Sequence, residues 1–338
     1  MGVYIGIDLH SNNSVVVVVD DAGKVLYEKR LRNDLPVILN ELSAYRKRCR
    51  GVVVESTYNW YWLVDGLMEA GYGVHLANTA AMQQYSGLKY SDDKSDARWL
   101  AEMLRLGVLP EGYIYPKEGR AVRDLLRKRS QLVRQKVSQM LSIQALLSRD
   151  AGTTLSGNAL KAIAEEDLDR LLPDPLVARA AKSNLRVYRC IEKEVAELER
   201  AVLSRAKGCA GFEDLLGIDG IGKVLGLTIL LEAGDMGRFA GAGNFASYCR
   251  CVGSVKLSNG KKKGKGNTKS GNKHLAWAFV EAANFAIRYS AIVRRFYERK
   301  KAKTSGVVAI KAVAHKLARA VYHVLKEGVP FQAERAFA

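Results

Sequence analysis

Five carboxylates in three short stretches are the residues of this chain best suited to chemistry: Asp8 in GIDLH, Glu55 in VVVES, and Asp92, Asp93 and Asp96 in YSDDKSDARWL. Asp8 and Glu55 stand inside apolar, β-branched runs, where an ionised carboxylate is costly to bury without a compensating cation. Asp93 and Asp96 are three apart, which on a helix puts both on one face. Magnesium or manganese favours such oxygen ligands. Four carboxylates can hold two ions about 3.5–4 Å apart, one activating a nucleophile and the other stabilising a leaving oxygen. A plainer reading is that Asp92, Asp93 and Asp96 only cap a helix and oppose its dipole. Asp92 also competes with Asp93 for a ligand's place. The expected metal set is Asp8, Glu55, Asp93 and Asp96.

These acids can meet only if the elements carrying them converge. The runs VYIGIDLH (3–10), SVVVVVDDAG (14–23) and KVLYEKRLRN (24–33) are separated by short turn-like segments, as in an antiparallel meander. LPVILNELSAYRKR then reads as a helix, GVVVEST as a buried strand, NWYWLVDGLMEAG as a helix and YGVHLAN as a strand, before the helix that begins at the aspartates. That is the order of the ribonuclease H-like fold, in which the first strand, the fourth strand and a late helix meet at one edge. The opening hairpin is also similar to that of actin-like kinases. Here, however, Leu9, His10, Ser11 and Asn12 occupy the turn where a phosphate-cradling Gly is needed, and no Gly-rich adenosine loop follows.

The remainder is different in composition. Residues 1–100 hold 11 Lys and Arg against 12 Asp and Glu, so the chain's net charge of +18 lies beyond residue 100. A polyanion such as nucleic acid is the partner expected of that region. Leu185, Tyr188, Ile191, Val195, Leu198 and Val202 form a seam at alternating three and four spacing, as in a coiled coil, and core burial accounts for it equally well. It pairs naturally with a long amphipathic run from about residue 119, the two joined by residues 150–175. GIDGIGK (217–223) looks like a helix-hairpin-helix turn, whose glycines admit a phosphate to backbone N–H groups, with helix packing as the alternative. Two long helices are expected around 272–300 and 306–327, where Trp277, Phe279, Phe285, Tyr289 and Phe296 have spacings that mostly suggest core. The five cysteines form no CxxC pair, and no uncharged apolar run approaches the length of a membrane span. With no signal-peptide pattern at the N-terminus, the expectation is a cytoplasmic protein, nucleoid-associated when bound to DNA.

YIGIDLH, VVVESTYNWYW, YSDDKSDARWLAEML, LLGIDGIGKVLGLTILLEAG and SGNKHLAWAF each resemble, in this order, a block of the DEDD-type insertion-sequence transposases and recombinases, relatives of the Piv pilin-gene invertase. The resemblance covers nearly the whole chain, least closely over 150–205. It implies an α/β plus α architecture: a RuvC-like catalytic domain over 1–115, a coiled-coil helical connector over 116–208, and a mostly helical transposase domain over 209–338. It implies that Asp8, Glu55, Asp93 and Asp96 are the DEDD acids. It implies a serine that attacks DNA and holds it as a phosphoserine, which here corresponds to Ser258 ahead of NGKKKGKGNTKSGNK. Ser254 is the alternative, because the loop is slightly short and Asn259 stands where a Gly often does. Some members of the family are guided by a structured (bridge) RNA.

On chemical grounds a serine nucleophile needs activation and positive charge around its transition state. Lys261, Lys262, Lys263, Lys265, Lys269 and Lys273 follow Ser258 with no acid among them. A loop that only neutralises phosphates has the same composition. The loop lacks the arginine on which serine recombinases usually rely, so Arg250 or a partner subunit is expected to supply one. Expected nucleic-acid contacts are these lysines with Gly220, Gly222 and Lys223. Strand exchange further implies a homo-oligomer, dimer or tetramer. The function expected is DNA cutting and rejoining, with a metal-dependent nuclease such as a Holliday-junction resolvase, or a non-catalytic nucleic-acid-binding protein, as alternatives.

Overall fold

The computed structural model describes residues 1–82, 92–206, 208–264 and 270–338. Two compact units divide the chain, Met1–Tyr115 and Pro116–Ala338.

The first unit is a mixed α/β sheet. Its elements are β1 (Val3–Leu9), β2 (Asn13–Asp20), β3 (Val25–Arg32), α1 (Leu35–Leu42), β4 (Cys49–Glu55), α2 (Tyr61–Glu69), β5 (Val74–Ala77), α3 (Asp93–Arg105) and β6 (Glu111–Gly112). The strand order is β3-β2-β1-β4-β5-β6, antiparallel through β3, β2 and β1, parallel through β1, β4 and β5, and antiparallel again at β6. This arrangement fits a ribonuclease H-like sheet. Side chains alternate across the strands. Val3, Ile5, Ile7 and Leu9 pack with Ile38, Leu63 and Leu67 on one face. On the other face Tyr4 joins Val15, Val17 and Val19 beneath Ala97 and Ala101 of α3.

Gly6 lies on that second face, two residues from Asp8. A Cβ built there would stand 2.0 Å from the Ala97 carbonyl oxygen and 2.8 Å from the Ala101 nitrogen. The backbone of α3 therefore rests directly on β1, which only glycine permits. Asp96, one residue before Ala97, is drawn to the end of β1 that carries Asp8.

The second unit is almost entirely helical. α4 (Lys117–Ala151) and α7 (Pro175–Ala206) run antiparallel, as Arg129–Glu199, Lys136–Glu192 and Ser142–Asn184 contacts show. Of the predicted seam, Leu185, Tyr188, Val195 and Val202 are buried. The joining stretch holds α5 (Gly157–Ala162) and α6 (Glu165–Leu171), whose Leu160 and Leu168 close a core with Ile143, Leu147 and Leu185. Then follow α8 (Phe212–Leu216), α9 (Lys223–Ala233), α10 (Ala242–Tyr248), the hairpin β7 (Lys256–Ser258) and β8 (Lys261–Gly264), α11 (Lys273–Tyr289), α12 (Ala291–Lys303), α13 (Gly306–Glu327) and α14 (Ala333–Phe337). Phe245, Phe279, Leu317, Val321 and Phe337 lie at the centre of their shared core.

Two expectations are corrected. The helix anticipated over 272–300 is broken at Ser290, which has extended backbone. The Arg294 guanidinium accounts for the break by donating to the Ile287 and Arg288 carbonyl oxygens, satisfying groups a helix end leaves orphaned. Chain reversal there also returns Val293 to the core. Of the aromatics expected inside, Phe279 is buried, whereas Trp277, Phe285 and Tyr289 are exposed. The inner face of α11 is instead made of Leu275, Ala278, Ala282, Ala283 and Ala286, small residues that allow close packing and displace the large rings to its flanks.

Substituting Gly6 by alanine should cost about 1–3 kcal/mol through overpacking between β1 and α3. Denaturant unfolding of the Gly6→Ala variant checks this, with a lowered midpoint and unchanged slope as the expected result.

Candidate metal centre

Asp8 sits at the end of β1 and is 3% exposed, on the α3 side of the sheet. Glu55 ends the neighbouring strand β4. Val53, two residues earlier on the same face, packs against Leu100 of α3. Asp93 and Asp96 occupy the first turn of α3, where the helix dipole favours negative charge. Asp92 precedes them as the N-cap: its Oδ1 accepts from the Ser95 N–H at 2.8 Å while its own N–H donates to Ser95 Oγ, a reciprocal capping box. Bonds from Ser95 hold the Asp92 carboxyl below its usual range.

The four acids fall into two groupings that share Asp8. In the first, Asp8, His10 and Asp93 place ligand atoms within 4.8 Å of one another. His10 Nε2 lies 3.1 Å from Asp8 Oδ2 and 3.3 Å from Asp93 Oδ2. That nitrogen is buried and makes no aligned hydrogen bond to either oxygen. Its loop is fixed by Asn33 and Asn59, whose side-chain amides both donate to the His10 carbonyl at 2.9 Å. Arg30 Nη2 reaches Asp93 Oδ2 at 2.5 Å and, with His10, keeps the Asp93 carboxyl well below the usual range.

In the second grouping, burial pushes the Glu55 carboxyl up to about 8, aided by a hydrogen bond shared with Asp8 and by the charges of Asp8 and Asp96. Without a cation, Glu55 thus retains a proton near neutral pH. Glu55 and Asp96 also line a cavity of about 280 Å³ with Thr79, Met82, Trp99 and Leu100. An oxygen-rich pocket that retains a proton near neutral pH, beside a buried imidazole nitrogen without an aligned partner, suits a hard divalent ion. Asp8, Glu55, Asp93, Asp96 and His10 are the residues that could hold one. The sequence reading passed over His10, and its place two residues after Asp8 was the available signal.

In the second unit, Ser258 is exposed at the end of β7 and pairs with Lys261 across a turn in which Asn259 and Gly260 have φ of 50° and 70°. Positive φ at both central residues makes this the Asn-Gly hairpin turn that matches strand twist. Ser254 is half-buried, and Lys261, Lys263 and Lys273 are exposed. Lys262 pairs with Leu257 through the backbone, and its side chain lies outside the described residues, as do Lys265 and Lys269. Gly220 (φ 90°) packs the 217–222 turn against α11, where a Cβ would meet the Ala282 oxygen at 2.3 Å. Gly222 is the N-cap of α9 and Lys223 its exposed first residue. Arg250, at φ 55°, donates from Nε to the Gly271 carbonyl at 3.0 Å.

One network had no counterpart in the sequence reading. Glu232 of α9 is 3% exposed and accepts bidentate bonds from Arg127 of α4 at 2.6 and 2.8 Å, and one from Asn272 Nδ2 at 2.7 Å. Burial alone would raise the Glu232 carboxyl, but Arg127 and Asn272 hold it below the usual range. Asn272 also caps α11 by accepting from His274 and Leu275 N–H groups. Together with the Arg250–Gly271 bond, this anchors the chain immediately after the Ser258 loop.

Glu55 has a raised folded-state value, so its contribution is complete below about pH 4.5 and is lost as pH rises through about 8. In chelator, thermal stability should therefore fall between those pH values. Glu55→Gln should flatten this dependence, and added Mg2+ should restore wild-type stability at pH 8. Arg127→Ala should cost about 3 kcal/mol, because it strands a buried carboxylate. Urea unfolding measures that loss, and it should be smaller for the double variant that also carries Glu232→Gln.

A family model for DEDD transposases of the IS110 type, described as a transposase, matches residues 5–149. A second, "Transposase IS116/IS110/IS902 family", matches residues 213–298. A "Probable family 20 transposase" of Pseudomonas aeruginosa is 26% identical over 278 residues, 78% of this chain and 80% of its own length. The "Transposase for insertion sequence element IS1328" of Yersinia enterocolitica is 23% identical over 334 residues, 97% of this chain and 98% of its own. The chain belongs to the IS110-type DEDD transposase family.

Proposed function

We propose that this transposase cuts and rejoins the DNA of a mobile element, using divalent ions held by Asp8, Glu55, Asp93 and Asp96 together with Ser258 as nucleophile. The observation that carries the metal half of the reading is Glu55, whose carboxyl is pushed up to about 8 by burial and then by its hydrogen bond to Asp8 and the charges of Asp8 and Asp96. Three carboxylates in a partly buried cleft are stable only if protons or cations offset their repulsion. A bound divalent ion supplies Lewis-acid stabilisation of charge on the phosphoryl oxygens undergoing transfer.

In this reading the Ser258 Oγ attacks phosphorus, losing its proton, while a deoxyribose oxygen leaves and takes one up. The phosphoserine ester then yields to a strand hydroxyl, which restores the serine. Exposure of Ser258 on a hairpin whose second strand is Lys261–Gly264 is consistent with access to a phosphate. Residues 1–115 would act as the RuvC-like catalytic domain, 116–208 as a coiled-coil connector, and 209–338 as the transposase domain with a helix-hairpin-helix-like turn at Gly220, Gly222 and Lys223. The excess of basic residues beyond residue 100 supports DNA binding and, in the same reading, a structured guide RNA held through its backbone. A homo-oligomer handles the several strands. Among the described residues no helix is long and apolar enough to cross a membrane.

Ser258→Ala should lower recombination by about 10³-fold or more and eliminate any covalent protein–DNA adduct. Asp8→Asn should abolish metal-dependent cleavage and leave DNA affinity within about threefold. An adduct that persists in Ser258→Ala and disappears in Ser254→Ala would transfer the nucleophile to Ser254. Cleavage that depends on Asp8 but on neither serine would instead make the protein a metal-dependent nuclease.

A further inference from the structure

Two aromatic side chains on α11 are left over by the core. Phe285 is 40% exposed and Tyr289 is 71% exposed. They are one helical turn apart, with ring centroids separated by 6.4 Å and planes only 6° from parallel. Both line a groove of about 560 Å³ whose other wall is residues 216–225, the turn that precedes α9 and the start of that helix. The groove is held in shape by backbone contact, since Gly220 sits against Ala282 and Ala286 on the neighbouring face of α11.

The charges around this apolar groove decide what it can hold. Lys223 and Asp219 are the charged residues lining it. Tyr289 leads directly into α12, whose exposed Arg294, Arg295, Arg299, Lys300, Lys301 and Lys303 are opposed by Glu298 alone within the helix. Arg294 donates to the Ile287 and Arg288 carbonyls, so its guanidinium is fixed at the end of α11 beside Tyr289. Flat aromatic faces bordered by fixed and mobile cations suit a ligand that is planar at its centre and anionic at its edge.

We propose that Phe285 and Tyr289 form a stacking platform for an unpaired nucleobase, with Lys223 and Arg294 beside the flanking phosphates. The inference rests on the reading that the chain binds nucleic acid, and assigns to this groove the single-stranded or splayed part of the substrate. A duplex keeps its bases stacked on each other and offers the groove only its backbone.

The test uses the full chain with a short single-stranded DNA carrying 2-aminopurine and with the corresponding duplex. Wild-type protein should change the 2-aminopurine emission of the single strand. Phe285→Ala with Tyr289→Ala should weaken single-strand binding by about tenfold or more and change duplex binding by less than about twofold. Tyr289→Trp should preserve both the signal and the affinity. Equal loss on single strand and duplex, or no loss on either, would overturn the platform. A lower solution mass for the alanine variant would overturn it too, by making the groove an interface between copies. Failure of the wild-type protein to bind either DNA would instead defeat the nucleic-acid reading on which the platform rests.

Discussion

Carboxylates that repel one another at the end of a hydrophobic sheet are the constraint around which the first unit is arranged. Asp8 is buried at the end of β1, Glu55 ends the adjacent strand, and Asp96 is brought in by a helix seated on a glycine. Like charges in a low-dielectric site cannot all remain ionised, and the Glu55 carboxyl is pushed up to about 8, first by burial and then by its neighbours Asp8 and Asp96. The fold supplies partial relief at the other end of the cluster, where Arg30 reaches Asp93 directly. That ion pair is half exposed and contributes little to stability by itself. Its effect is local: with His10 it keeps the Asp93 carboxyl ionised at the solvent side of the cluster.

The second unit treats its buried charge in the opposite way. Glu232 is as deeply buried as Asp8, but its oxygens are fully occupied by a bidentate guanidinium and a side-chain amide. Such a satisfied network costs desolvation and returns geometric definition more than stability. Here it links α4, α9 and the N-cap of α11, and the tie from Asn272 N–H to the Tyr248 carbonyl at 2.6 Å extends it to the end of α10. Both borders of the segment that carries Ser258 are thereby fixed, while the hairpin between them is exposed. Glu55 in the Asp8 cluster keeps a proton near neutral pH, whereas Glu232 is held ionised by its own partners.

Much of this was legible in the sequence, for identifiable reasons. The β-branched runs of β1, β2 and β4 and the four acids were readable because strand alternation and helical spacing are local signals. Asp92 was recognisable as a possible cap because a capping residue acts on the next three positions. His10 had only its place two residues after Asp8 as a signal, and its significance depends on Asp93 arriving from α3. Glu232 gave no signal of its own in the sequence, because its partner Arg127 is 105 residues away. Phe285 and Tyr289 were misplaced for a related reason. Helical spacing distinguishes one face from another, but which face is inside depended on the alanines that let a glycine turn pack on α11.

The hairpin raises a chemical requirement that its own residues cannot meet. A serine hydroxyl becomes a nucleophile when a base accepts its proton or when its pKa is lowered. The stretch Lys256–Gly264 contains neither an acid nor a histidine, and its lysines are cationic at neutral pH. Those lysines lower the energy of a developing negative charge on phosphate and on the serine oxygen, but they do not remove a proton. The Asn259–Gly260 turn compounds the point, because the residue it sets opposite Ser258 is Lys261, another cation and no proton acceptor. The proposed attack therefore depends on a proton acceptor from outside the hairpin, supplied by another part of the protein, by the bound nucleic acid or by water.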